Sequence, residues 1–182
     1  EKMETTKQPL ITVVMPNYNG HRFVEQAIDS VLNQTYPNFE LLVVDDCSKD
    51  DSLQLVQQKA QSDDRIRVIA LEHNAGVANA RNVGIKEAKG EFIALLDNDD
   101  LWTEDKLERQ LALANKGADI VYCSYDFIDE QNNSIKKPFI VPQQTNFNKM
   151  LASSVISCST SFIKTELMQA HPFNSDFYHE DY

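Results

Sequence analysis

Hydrophobic residues in the first 128 positions follow two spacings, and each spacing predicts a different kind of element. Continuous apolar runs rich in Val, Ile and Leu are typical of buried strands, and they occur at 10–15, 39–45, 66–71, 92–96 and 118–128. Between them, apolar residues recur every three or four positions, which is the spacing of one helix face. These stretches predict helices at 21–34, from Ser48 to about Ala60, at 76–88 and after Thr103.

Each predicted helix has an apolar face that would pack on a sheet. The inward positions are Val24, Ala27, Ile28, Val31 and Leu32 in the helix at 21–34, and Val77, Ala80, Gly84 and Ala88 in the helix at 76–88. Apolar strands that alternate with such helices predict an α/β fold, in which a mostly parallel sheet carries helices on both faces.

The last third of the chain has a weaker periodicity. Residues 129–138 predict the turn of a hairpin, 145–153 a short helix and 157–164 a strand. Nothing between these elements has the composition of a linker. We therefore expect a single domain over residues 10–182, preceded by a polar leader at 1–9.

Sheets of this kind bind ligands in the crevice outside the carboxyl ends of their strands. The residues that directly follow the predicted strands are therefore candidates for a binding site. They are Pro16-Asn17-Tyr18-Asn19, Asp45-Asp46, Glu72-His73-Asn74 and Asp97-Asn98-Asp99-Asp100. Two acidic groups at one sheet edge, beside a Tyr18 ring that could stack on a base or a sugar, indicate a site for a polar ligand.

The acidic run at 97–100 is compatible with several functions. Asp97 and Asp99 could bind Mg²⁺ or Mn²⁺ together with a ligand's phosphate oxygens, because these ions prefer hard oxygen ligands. They could instead be the Asp-x-Asp pair of a phosphatase, although Leu101 stands where that motif commonly has Thr or Val. A calcium loop is excluded, because Trp102 occupies the position that needs Gly.

Part of this acidic run can be explained by helix capping, without any ligand. Carboxylates stabilise a helix N-terminus, and Asp100 is placed to cap the helix after Thr103. Capping requires only one carboxylate, so it leaves the others unexplained.

The predicted helix at 76–88 adds two candidates to the crevice. Its N-terminus at Gly76 could offer free N–H groups to an anion. Arg81 lies among the inward positions, so it either reaches the crevice or pairs with Asp46 or Asp97.

Composition and charge restrict the possible partners. The net charge of −11 argues against nucleic acid as the main partner, because phosphate backbones bind Lys and Arg. Three widely spaced cysteines, Cys47, Cys123 and Cys158, indicate free thiols in a reducing compartment. No apolar run has the length of a membrane span. The predicted location is the cytoplasm, with peripheral association at the inner face of the cell membrane as an option.

Four segments, in this order, resemble the family 2 glycosyltransferases of GT-A fold. They are Pro16-x-Tyr18-Asn19, SVLNQTYPNFELLVVDDCS at 30–48, NAGVANARNVGI at 74–85 and GEFIALLDNDDLW at 90–102. The resemblance extends from about residue 10 to residue 182. It implies transfer of a sugar from a nucleotide-sugar donor, with UDP as the expected nucleotide, and inversion at the anomeric carbon. The implied acceptor is a hydroxyl group of a saccharide or lipid-linked saccharide in cell-surface polysaccharide or glycolipid synthesis.

The resemblance also implies a role for each matched residue. Pro16, Tyr18 and Asp46 would hold the nucleoside, and Asn19, Arg81, Asn82 and Asn98 would lie near the donor. Asp99 and Asp97 would bind Mn²⁺ or Mg²⁺, with Asp97 on the sugar side. The acidic pair Glu180-Asp181 would carry the general base, with Asp181 as the base itself.

One departure from the family pattern bears on activity. Family members continue well beyond this acidic pair into an acceptor-binding region, whereas this sequence ends one residue after Asp181. A truncated chain is therefore expected, and a nucleotide-sugar-binding domain without turnover is the alternative to an active enzyme. The phosphatase is the second alternative, but it does not account for Tyr18, Asp46 or Asn82.

Overall fold

The computed structural model describes residues 8–146, 148–149 and 155–175. Its eight strands are β1 Ile11–Asn17, β2 Phe39–Asp45, β3 Ile66–Ala70, β4 Phe92–Leu95, β5 Ile120–Val121, β6 Tyr125–Ile128, β7 Ser134–Phe139 and β8 Phe162–Lys164. The helices within these ranges are α1 Val24–Leu32, α2 Ser52–Ser62, α3 Val77–Glu87, α4 Lys106–Ala114 and α5 Thr165–Ala170, and a 3₁₀ turn spans Cys158–Thr160. None of these helices is long and apolar enough to cross a bilayer.

The main sheet confirms the predicted α/β architecture. Its six strands lie in the order β3-β2-β1-β4-β8-β5, and the first four are parallel. Strand β8 runs antiparallel to both of its neighbours, β4 and β5. Strands β6 and β7 form a separate antiparallel hairpin. Since β1, β2 and β4 are parallel neighbours, the loops after them meet at one edge of the sheet.

The two faces of β1 belong to two different hydrophobic cores. Ile11, Val13 and Met15 pack in a core that also contains residues of α1 and α4. Val14 points to the opposite face and packs in a core with Ile85 of α3. These four side chains of β1 are all fully buried, which explains why the sequence of this strand is a continuous apolar run.

Gly84 allows α3 to lie unusually close to β1. A Cβ atom at this position would come within 2.4 Å of Val14 Cγ1, well inside van der Waals contact. The close approach brings the preceding turn of α3, which carries Arg81, against the carboxyl ends of the strands.

Two predicted strands are wrong in their extent. The stretch at 118–128 divides into β5, which pairs with β8, and β6, which leaves the main sheet and pairs with β7. Stacking of Tyr125 on Phe139, with ring centroids 5.1 Å apart, holds β6 in the hairpin. The predicted strand at 157–164 is a 3₁₀ turn followed by the three residues of β8.

The predicted starts of two helices are also wrong, because local side-chain bonds hold the preceding residues outside the helix. Ser48 donates to Asp45 Oδ1 over 2.6 Å, and α2 begins only at Ser52, where Asp50 Oδ1 accepts the backbone N–H. Thr103 donates to Asp105, and α4 begins after that residue.

The inner face of α1 is confirmed, whereas that of α3 needs one correction. Val77 was expected to face inward but is 38% exposed. Most of the predicted helix at 145–153 and the start of the polar leader, residues 1–7, lie outside the described residues.

Candidate functional site

A cleft of about 400 Å³ opens at the carboxyl ends of β1, β2 and β4. Seven of the residues predicted for the site line this cleft: Pro16, Tyr18, Asp46, Arg81, Asp97, Asn98 and Asp99. Five further residues line it: Asn17 and Asn74, which follow predicted strands, Gly76 at a predicted helix start, and Val77 and Ala80 on the predicted inner face of that helix. The sheet topology therefore brings together residues that lie more than 80 positions apart in sequence.

Asn17 connects the three loops that form the floor of the cleft. Its side-chain amide donates to Asp45 Oδ1 over 2.7 Å, and its carbonyl oxygen accepts from Asn98 Nδ2 over 2.8 Å. Asn17 is buried, whereas the neighbouring Tyr18 is 48% exposed at the edge of the cleft. Asn17 was a candidate only as a residue that follows a strand. Its bridging role was not predicted, because an Asn in this position is equally common in an exposed turn.

The carboxylate of Asp46 binds the segment that precedes α3. Oδ1 accepts the backbone N–H of Ala75 and Oδ2 that of Gly76, each over 2.8 Å, and Asn74 donates to the Asp46 carbonyl oxygen. The N-terminus of the helix at Gly76 was predicted to offer free N–H groups to an anion. At Gly76 itself that prediction is wrong, because the anion bound to this N–H is the carboxylate of Asp46.

Arg81 forms an ion pair with Asp97 across the cleft. Its guanidinium donates to Asp97 Oδ1 over 2.7 Å, and the two side chains are 4% and 30% exposed, respectively. The guanidinium carbon also lies 5.4 Å from the ring centroid of Phe173. Of the two partners considered from the sequence, Asp46 and Asp97, the structure shows Asp97.

Ser159 holds the acidic loop after β4 in place through hydrogen bonds. Ser159 Oγ accepts the backbone N–H of Asp97, and its carbonyl oxygen accepts from Trp102 Nε1 over 2.8 Å. Burial raises the pKa of Asp100, and the negative charges of Asp97 and Asp99 add to this effect, against a hydrogen bond from Ser159. Asp100 was expected to cap the following helix, but its partner is Ser159, and the residue before α4 is Asp105.

Asp97 and Asp99 fit a divalent cation. Both line the cleft, and Asp99 forms no hydrogen bond or ion pair with the residues that the structure describes. Their charges repel each other and that of Asp100, and a cation would relieve this repulsion. Within the described ranges, no three His, Cys, Asp or Glu side chains are placed to hold a metal ion together, so a bound ion would complete its shell with ligand oxygens and water.

Two of the predicted site residues, Asn82 and Asn19, do not line the cleft. Asn82 exchanges two hydrogen bonds with the backbone of Phe173, at 2.8 and 2.9 Å. Asn19 accepts the backbone N–H of Lys49 and has a positive φ of 50°, so it shapes the loop after β1. Glu180 and Asp181 lie outside the described residues.

The chain matches a known protein family over most of its length. The model of the family described as "Glycosyl transferase family 2" matches residues 12–170. WfgD of Escherichia coli, a UDP-Glc:α-D-GlcNAc-diphosphoundecaprenol β-1,3-glucosyltransferase, is 41% identical over 95% of this chain and 67% of its own length. TuaG of Bacillus subtilis, named as a candidate glycosyltransferase of teichuronic acid biosynthesis, is 35% identical over 89% of this chain and 65% of its own length.

A solved structure shows the same relationship in three dimensions. The crystal structure of S. aureus TarS 1-349 in complex with UDP superposes with a TM-score of 0.76, at 27% identity, over 94% of this chain. The match covers 52% of the TarS chain. The present chain thus spans about two thirds of the curated relatives and about half of this solved structure.

Proposed function

Since the chain belongs to glycosyltransferase family 2, we propose that it transfers a sugar from a UDP-sugar to a hydroxyl acceptor with inversion of the anomeric carbon. The acceptor belongs to cell-surface polysaccharide or glycolipid synthesis. The names of WfgD and TuaG, which refer to a lipid-linked sugar and to teichuronic acid, support this assignment. The family assignment leaves the phosphatase alternative without support.

The observation that carries the proposal is the composition of the cleft. An exposed Tyr18 ring, the Asp46 carboxylate and the Asp97–Asp99 pair line one cavity at the carboxyl edge of a parallel sheet. An aromatic ring suits a base, and a carboxylate pair suits a cation that accompanies a diphosphate. The likeness to TarS, which was solved with UDP, supports UDP as the nucleotide.

In the proposed nucleotide site, Tyr18 stacks on the base and Asp46 accepts from it, with Pro16 beside them. Each Asp46 oxygen already accepts one backbone N–H, but a carboxylate oxygen has a second acceptor position. The backbone bonds therefore orient Asp46 without preventing it from binding a base. Asn19, Asn82 and Asn98 are assigned to the surroundings of the donor.

The proposed reaction is a single displacement. The acceptor oxygen forms a bond to the anomeric carbon while the bond from that carbon to the diphosphate oxygen breaks, and the electron pair leaves with UDP. The acceptor proton passes to a carboxylate base, for which Asp181 is proposed, with Glu180 beside it. Attack opposite to the leaving group inverts the configuration.

Asp99 and Asp97 are proposed to hold Mn²⁺ or Mg²⁺. When bound, the ion would neutralise the charge that develops on the leaving diphosphate. Arg81 keeps Asp97 in place through the bond to Oδ1, so that the other oxygen of this carboxylate remains for a ligand. The site can therefore bind a diphosphate despite its acidic lining.

The lipid-linked acceptor in the name of WfgD supports a location at the inner face of the cell membrane. We propose that the protein acts there by peripheral association, on a sugar linked to a lipid diphosphate.

Transfer can be tested with UDP-Glc and UDP-GlcNAc as donors and a synthetic GlcNAc-diphospholipid as acceptor. The expected result is acceptor-dependent release of UDP, with a product of inverted configuration by NMR. The Asp181→Asn chain should keep its donor affinity and lose transfer. UDP binding without any transfer by the wild type would favour the alternative, a nucleotide-sugar-binding domain without turnover.

A further inference from the structure

A second, smaller groove lies beside the donor cleft. It has a volume of about 160 Å³ and lies between α1, the loop after β4 and the β6–β7 hairpin. Its lining includes Phe23, Gln26, Asp99, Leu101, Ile128 and Asn132, and we call this site the hairpin groove. Asp99 also lines the donor cleft, so this one side chain is shared by the two cavities.

Two side-chain contacts hold the hairpin against α1 and give the groove its walls. Arg22, just before α1, pairs with Glu130 at the tip of the hairpin. Asn132 Nδ2 lies 3.5 Å from Gln26 Oε1, across the groove. Asp129 fixes the turn, because its carboxylate accepts the backbone N–H groups of Asn133 and Gln131, each over 2.9 Å.

The lining of the hairpin groove combines apolar surface with amide groups. Phe23, Leu101 and Ile128 offer surface to the C–H face of a sugar ring. Gln26 and Asn132 carry side-chain amides, which can both donate to and accept from hydroxyl groups. The hydrogen bond between these two amides is long, at 3.5 Å, and therefore weak. A sugar hydroxyl group could replace it with little loss of free energy.

Size and charge restrict the ligand further. The volume is below the range of about 300–1,000 Å³ that is typical of drug-sized ligands, so the groove suits one ring. Three carboxylates, Asp99, Asp129 and Glu130, lie in its lining. Arg22 compensates the charge of Glu130, and a cation at Asp99 would compensate that of Asp99, so the carboxylate of Asp129 carries the remaining negative charge. This charge would repel a phosphate or a uronic acid but not a neutral sugar.

We propose that the hairpin groove binds one neutral sugar ring of the acceptor and presents it to the donor cleft at Asp99. The inference rests on the proposed function, because it assigns the acceptor of that reaction. A hydroxyl oxygen of this ring would form the new bond to the anomeric carbon, while UDP leaves with the electron pair of the broken bond and the proton passes to the carboxylate base. The groove thereby selects for neutral sugars at the acceptor end.

The test is an NMR titration of the ¹⁵N-labelled full chain with methyl α-D-glucopyranoside and methyl N-acetyl-α-D-glucosaminide, with sodium glucuronate as the charged probe. We expect shifts of the side-chain amide signals of Gln26 and Asn132 with at least one neutral sugar, and weaker shifts with glucuronate. The Gln26→Ala chain should bind that sugar about fivefold more weakly, which corresponds to one lost hydrogen bond. Glu25→Ala, the neighbouring exposed position, is the matched control and should bind like the wild type.

Shifts confined to other regions, no shift at all, or stronger binding of glucuronate would overturn the inference. Loss of UDP binding together with sugar binding in Gln26→Ala would show that Gln26 supports the fold and would also overturn it. UDP titration of the wild type distinguishes the two proposals. Sugar shifts at the groove without UDP binding would contradict the donor assignment alone, and UDP binding without such shifts would contradict the groove alone.

Discussion

Arg81 and Asp97 join the inner face of α3 to the acidic loop after β4 through a hydrogen bond of 2.7 Å. Arg81 is buried, and α3 is pressed onto β1 where Gly84 faces Val14. The guanidinium is therefore held by packing before any ligand arrives, and it fixes Asp97 in turn. A carboxylate that is already oriented loses little entropy when it binds a cation or a donor.

Replacing Arg81 should reduce both stability and donor binding. In Arg81→Met, Asp97 loses its cationic partner, and the Asp97 side chain is 30% exposed to solvent. We expect the free energy of unfolding to fall by about 2–3 kcal/mol, less than for a fully buried pair. Urea unfolding and calorimetric titration with UDP and Mn²⁺ measure the two effects.

The matched control for Arg81 is Arg67→Met. Arg67 pairs with Glu40 over 2.9 Å and lies outside the cleft lining. This variant should lose some stability and keep its UDP affinity. Equal UDP affinities of the wild type and Arg81→Met would contradict the role assigned to this ion pair.

Asp46→Asn should weaken UDP binding whether or not Mn²⁺ is present. The substitution replaces one of the two acceptor oxygens of Asp46 by an N–H donor, so the base loses its proposed acceptor. The backbone N–H of Ala75 or Gly76 also loses its partner, which should lower the free energy of unfolding by about 1–3 kcal/mol. Calorimetry with UDP measures the affinity. Asp50→Asn, which removes a similar acceptor at the start of α2, should cost stability only. A loss of affinity that appears only with Mn²⁺ would refute the proposed contact to the base.

Lys106 should make stability depend on pH in the neutral to alkaline range. Its ammonium lies 4.0 Å from the ring centroid of Trp102 and donates to Gln110 over 2.6 Å. Burial lowers the pKa of Lys106 to about 7. The unfolded chain, with a lysine pKa of about 10.4, binds more protons between these two values. Stability should therefore rise with pH from about 7 upward.

Lys106→Met tests this linkage, because methionine does not titrate. Its free energy of unfolding, measured in urea across the same pH range, should lack the alkaline rise of the wild type. Parallel pH profiles of the two chains would show that Lys106 keeps its proton in the folded state.

The order of the elements and most of the cleft lining follow from local sequence. Apolar runs and helical spacing define the strands and helices, and parallel pairing then places Tyr18, Asp46 and Asp99 at one edge. The inner face of α1 was predicted correctly because the apolar residues that form it recur at helical spacing within a single stretch of sequence.

The failures concern contacts between distant residues. Nothing near Gly76 indicates that its N–H binds a carboxylate 30 positions earlier. The hairpin turn after residue 128 was predicted, but nothing in 118–128 reveals that only its second half joins the hairpin while its first half stays in the main sheet. Val77 fits the apolar period of α3 but lies at its first residue, where the helix borders the open cleft. The hairpin groove could not be predicted at all, because it depends on where the hairpin meets α1.

Calorimetric titration with UDP, with and without Mn²⁺, measures whether the cleft is a UDP-sugar site completed by a divalent cation. GDP and dTDP serve as nucleotide controls. We predict that UDP binds in preference to both and that Mn²⁺ strengthens its binding. Asp99→Asn should lose this enhancement, while Asp105→Asn, just before α4 and outside the cleft lining, should retain it. UDP binding that does not respond to Mn²⁺, or that Asp99→Asn leaves unchanged, would show that Asp99 holds no cation for the nucleotide in this cleft.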